Sequence, residues 1–112
     1  MKIKDFNKKR KTLHALMVKE DAFFKTFGLL DDGVYSGGVI PKKYKELTGL
    51  SMSVLARCED CVSYHIQCCL AERANKEEII EAVKIGFMAG GAVAYPTVRR
   101  AFETLKELKI IK

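Results

Sequence analysis

Asn75-Lys76-Glu77-Glu78-Ile79-Ile80-Glu81-Ala82-Val83-Lys84-Ile85-Gly86-Phe87 is the stretch that decides the fold. Its asparagine can accept a helical N–H, while Glu78, three positions on, can reach back to the asparagine's own N–H. Ile79, Ile80, Val83 and Phe87 then recur at helical spacing. A helix therefore begins at about Lys76. After it, Gly86, Ala89, Gly90, Gly91, Ala92 and Ala94 lack bulk and would let backbones approach closely. Pro96 opens or kinks a last helix that turns Val98, Phe102, Leu105 and Leu108 inward.

Reading back toward the N-terminus, the segment from Cys58 to about Arg73 carries Glu59 and Asp60 in its first turn, as the helix dipole prefers. Pro41 sits where a first-turn proline belongs, ahead of a stripe of Tyr44, Leu47, Leu50, Val54 and Leu55 that reaches about Arg57. Asp21 can cap a further helix in which Phe23, Phe24, Phe27, Leu30 and Val34 recur, ended by Gly37-Gly38. From Asp5 to about Val18, Phe6, Leu13, Leu16 and Met17 also fit helical spacing. Neither a hairpin signal nor an internal repeat is found. The prediction is an all-α bundle of about six helices.

At 112 residues the chain has the size of one domain, and no linker-like stretch divides it. So short a chain buries a modest share of its surface, and with 48% apolar residues it would be better covered in a homo-oligomer. The formal charge of +6 comes largely from Lys2, Lys4, Lys8, Lys9, Arg10 and Lys11. A solvated helix face explains them, and nucleic-acid binding is disfavoured because no zinc-finger spacing or RNA-binding motif accompanies them. Residues 1–12 lack the apolar core of a secretory signal, so a cytoplasmic location is expected. The most apolar window, Val83 to Tyr95, is interrupted by Lys84 and too short to span a bilayer.

In a reducing compartment, four cysteines point to redox or metal chemistry rather than a structural disulfide framework. Cys58-Glu59-Asp60-Cys61 puts two thiols three residues apart, and His65 lies one helical turn after Cys61. Such a dithiol beside a base suits thiol–disulfide exchange. Cys58, Cys61, His65 and Cys68 also spell a zinc set. On one unbroken helix, however, Cys58 and Cys68 lie about 15 Å apart, whereas ligands of one zinc must lie within about 4 Å. Cys68 and Cys69, beside Ile66, Leu70 and Ala71, read as packed core residues. His14 and the Phe23, Phe24, Phe27 stripe read as packing or interface groups.

Residues 40 to 100 resemble the carboxymuconolactone decarboxylase superfamily, and within it the alkylhydroperoxidase D-like branch. The resemblance rests on Glu46 twelve positions before Cys58, on Cys58, Cys61 and His65, on Asn75–Ala82 and on the Gly/Ala-rich Gly86–Ala94. It implies an all-helical fold assembled into trimers or hexamers, and peroxidase or disulfide reductase activity with no bound cofactor. It further implies catalytic roles for Glu46 as ultimate base, His65 as relay, and Cys58 with Cys61 as redox pair. A hydroperoxide or disulfide would be the substrate, and a thiol or lipoyl-type donor would reset the pair.

A straight helix would put Glu46 and Cys58 on different faces, so this reading requires a break near Arg57. Glu59-Asp60 stands where some members carry a histidine, and two carboxylates there raise thiol pKa values. The alternative within the superfamily is a lyase acting on a small carboxylated lactone, which would need Glu46 or His65 and dispense with the cysteines. A non-enzymatic assembly protein would show only ordinary thiol reactivity.

Overall fold

The computed structural model describes residues 2–112, and these are all-helical, with no strand among them. They fall into two compact units, one up to Ser36 and one from Gly37 to Lys112. The first unit contains α1 (Ile3–Glu20) and α2 (Ala22–Tyr35). Asp21 separates them with extended backbone, and its side chain accepts the Phe23 N–H at 2.9 Å, the cap expected from the sequence. Neither helix fully buries a residue, and Phe23 and Phe27 of the aromatic stripe lie open while Phe24 is half-buried.

The second unit contains α3 (Lys42–Leu55), α4 (Glu59–Ala71), α5 (Lys76–Gly90), a 3-10 turn at Gly91–Ala94, and α6 (Tyr95–Glu107). Helix α3 packs mainly against α5 and α4, and α4 packs against α6. Their shared core includes Leu50 and Val54, Val62 and Ile66, Ile79 and Val83, and Ala101 and Leu105. Phe102, expected inward, is partly exposed, and Ala101 and Thr104 take the buried positions of α6 instead. By length and composition the run Lys76–Glu107 could cross a bilayer, which the Val83–Tyr95 window alone could not. It is broken, however, by Gly91 at φ 72° and the 3-10 turn.

The capping box at Asn75 forms as read, with Glu78 N–H on Asn75 Oδ1 at 2.8 Å and Asn75 N–H on Glu78 Oε1 at 3.0 Å. A second Glu78 oxygen meets Lys43 Nζ at 2.8 Å, tying the start of α5 to α3. Gly86 permits the α3–α5 approach. A Cβ there would overlap the Ser51 carbonyl and lie 2.8 Å from Val54 Cβ.

Helices α3, α4 and α6 stop in the same way. Arg57, Arg73 and Lys109 each take a left-handed conformation two residues past the last helical residue. In each case the next N–H bonds back to the third-last helical carbonyl: Cys58 to Ser53, Ala74 to Cys69, Ile110 to Leu105. This is the Schellman arrangement, with a basic residue where glycine is usual. At Arg57 it supplies the break that the sequence demanded between Glu46 and Cys58.

Candidate redox site

Cys58 joins the end of α3 to the start of α4. Its N–H closes α3 on the Ser53 carbonyl at 3.1 Å, and its Sγ accepts the Cys61 N–H at 3.2 Å as the cap of α4. Cys58 thus immediately precedes the first residue of α4. Cys58 and Cys61 are joined in a disulfide with Cα atoms 5.2 Å apart. Cys61 is exposed and Cys58 half-buried.

Glu46 lies on α3, 2% exposed. Its Oε1 meets His65 Nδ1 at 2.9 Å, and its Oε2 meets Lys42 Nζ at 2.8 Å. Each carboxylate oxygen thus has its own partner, which offsets the cost of burying the charge. With Nδ1–H donated to the carboxylate, Nε2 becomes the basic nitrogen of the ring. The hydrogen bond to Glu46, assisted by its negative charge and opposed by burial, holds Lys42 above the usual lysine value of 10.5. The structure therefore joins Glu46 to His65, links Cys58 to Cys61, and puts His65 one helical turn after Cys61. Lys42 was not anticipated as a site residue, although its position four residues before Glu46 on a helix was a readable signal.

Arg100 of α6 also escaped the sequence reading. Its side chain, 14% exposed, lies 3.2 Å from Asp60 Oδ1 and 3.6 Å from Glu59 Oε1, the two residues between the cysteines. Nothing local in the sequence could have shown this, since 40 positions separate Asp60 from Arg100. The other two cysteines differ from each other. Cys69 is buried in the core, and desolvation, reinforced by the charge of Glu46, pushes its thiol up to about 12. Cys68, expected in the core, is only half-buried. No group of three or more His, Cys, Asp or Glu side chains disposed for a metal occurs among the described residues.

The model of the carboxymuconolactone decarboxylase family matches residues 21–107. The chain belongs to the carboxymuconolactone decarboxylase family. Two crystal structures of one Thermotoga maritima member share 39% identity with it, with TM-scores of 0.90 and 0.88. They cover 95% and 94% of this chain, and this chain covers 94% and 90% of theirs. For that member of the carboxymuconolactone decarboxylase family an involvement in antioxidative response has been suggested. The apo form of a Legionella pneumophila family member matches with a TM-score of 0.84 at 26% identity, over 93% of this chain and 94% of that one.

Two further relatives are uncharacterized proteins. One, from the cox locus of Paracoccus denitrificans, is 26% identical over 89 residues, covering 80% of this chain and 77% of its own length. The other, from Cupriavidus necator, is 35% identical over 54 residues, and the chain spans about half of its length.

Proposed function

We propose that this carboxymuconolactone decarboxylase family protein is a thiol-dependent oxidoreductase of the alkylhydroperoxidase D-like kind, reducing a hydroperoxide or a disulfide with the Cys58/Cys61 pair. The observation that carries the reading is the buried Glu46–His65 hydrogen bond one turn from a cysteine already able to close a disulfide. A carboxylate at Nδ1 orients the imidazole and makes Nε2 a better proton acceptor.

The unequal exposure of Cys61 and Cys58 supports giving them different steps. Cys61 is open to solvent and within a turn of His65, which suits it to attack. As thiolate it strikes the terminal oxygen of a hydroperoxide; an S–O bond forms, the O–O bond breaks, and the alcohol leaves with a proton. Cys58 then attacks the sulfenic sulfur, the S–S bond forms, and water leaves. Dithiol and hydroperoxide thus become disulfide, alcohol and water. A donor dithiol, of the thiol or lipoyl type, returns two electrons and two protons by attacking Cys61. Cys58 leaves as a thiolate stabilised by the N-terminus of α4.

Peroxide consumption by the parent, Cys61→Ser and Cys58→Ser, each supplied with a dithiol, tests the reading. Cys61→Ser should consume none. Cys58→Ser should form one sulfenic acid per chain that dimedone traps. Equal rates in all three proteins would end it. The Glu46–His65 pair could also serve a lyase acting on a carboxylated lactone, but that activity would survive both substitutions.

A further inference from the structure

The two carboxylates between the cysteines, Glu59 and Asp60, disfavour a thiolate on either sulfur. Arg100 faces both of them, and its position is fixed by a closed ring of hydrogen bonds. Arg100 Nε–H donates to Ser63 Oγ at 3.0 Å, and Thr104 Oγ1 donates to the Arg100 carbonyl at 2.8 Å. Ser63 and Thr104 lie 2.8 Å apart, and both are fully buried. The Thr104 proton is committed to the carbonyl, so the Ser63 hydroxyl donates to Thr104 Oγ1. Every proton direction in the ring is thereby set, with the guanidinium facing the CxxC turn.

We propose that Arg100 is a positioning residue of the dithiol: clamped through Ser63 and Thr104, it offsets the charge of Glu59 and Asp60 so that the sulfurs can ionise despite an acidic insert. A fixed cation acts electrostatically without the side-chain ordering cost that weakens most surface ion pairs. Glu103, 3.7 Å from Nε, draws on the same guanidinium from α6. Arg57 and His65 neighbour the cysteines along the chain, and Glu46 faces His65. Among these groups only Arg100 contacts both acids of the insert in the bonds and ion pairs described. The proposal takes its meaning from the redox reading above, but thiol acidity is measurable without turnover.

The test is site-resolved alkylation of Cys58 and Cys61 against pH in the fully reduced chain, read by mass spectrometry. Arg100→Gln should raise the titration midpoint of the attacking thiol by about one pH unit, a tenfold loss of thiolate below it. Adding Glu59→Gln and Asp60→Asn to that variant should restore the midpoint, because the negative charge that Arg100 offsets is then gone. A folded Arg100→Gln protein with the parent midpoint, or a midpoint that the double substitution leaves raised, overturns the proposal. Should Arg100→Gln fail to fold, Ser63→Ala, which removes the hydrogen bond that holds Arg100 Nε, decides: a raised midpoint supports the proposal, and an unchanged one overturns it. Midpoints that shift as expected in proteins that consume no peroxide would leave Arg100 in place and remove the activity instead.

Discussion

Glu46 is a buried carboxylate with one partner on each oxygen, so its replacement tests the proton relay without opening a cavity. Glu46→Gln keeps the shape but removes the charge that orients His65. Peroxide turnover at neutral pH is expected to fall about a hundredfold with helical circular dichroism unchanged, and a turnover within twofold of the parent would remove Glu46 from the mechanism. Cys69 offers a second prediction, from its thiol at about 12 against an ordinary 9.0. Below pH 9 both folded and unfolded chains keep that proton. As pH rises from about 9 toward 12 the unfolded chain releases it and the folded chain does not, so stability falls. Urea midpoints between pH 8 and 10.5 should therefore decline more steeply in the parent than in Cys69→Ala. Cys58, Cys61 and His65 could be picked out from spacing alone because they follow one another along the start of α4, Cys58 as its cap and the other two inside it. Glu46 needed the family resemblance, and Arg100 could not be found at all, because a helix pairing across 40 residues decides where its guanidinium lies.

Among the elements, helix starts were readable from their caps, and α3 and α4 end within two residues of the expected Arg57 and Arg73. Asp21 and Asn75 are side-chain caps, and each bonds as its type predicts. The stops at Arg57, Arg73 and Lys109 use a left-handed residue that sequence rules assign to glycine, so the form of these stops was not legible, although the places of the first two were. The close approach at Gly86 was legible as missing bulk, and it yields a prediction: Gly86→Ala must move the Ser51 carbonyl or the Val54 side chain. It should cost about 1–3 kcal/mol in chemical denaturation despite alanine's better helix propensity. The Lys43–Glu78 pair adds a pH dependence. Hydrogen bonding to Lys43, then to the Asn75 backbone, holds Glu78 below its usual 4.5, so its stabilisation is present above that value and lost as the pH falls through the lower folded one. Lys43→Met should flatten the acid limb of thermal stability, and an identical limb in both proteins would show that the pair contributes nothing.

At the scale of the whole molecule, the apolar surface left open is large for a chain of 112 residues. On α2, Phe23, Phe27, Leu29, Leu30 and Val34 are each at least 60% exposed, and the helix buries no residue at all. In the second unit Val39, Ile85, Met88 and Val93 are exposed as well. Monomers seldom leave contiguous apolar faces of this kind in water, whereas a symmetric assembly covers them with copies of themselves. The homo-oligomer expected from the sequence is accordingly proposed here, with α2 as the face whose covering contributes most. Light scattering at micromolar concentration should give a mass that is a multiple of 12.6 kDa. Phe27→Glu combined with Leu30→Glu should lower that mass while leaving the disulfide of the second unit able to form. A parent protein that scatters as a single chain, or a double variant with the parent's mass, would show that the α2 face is not what holds copies together.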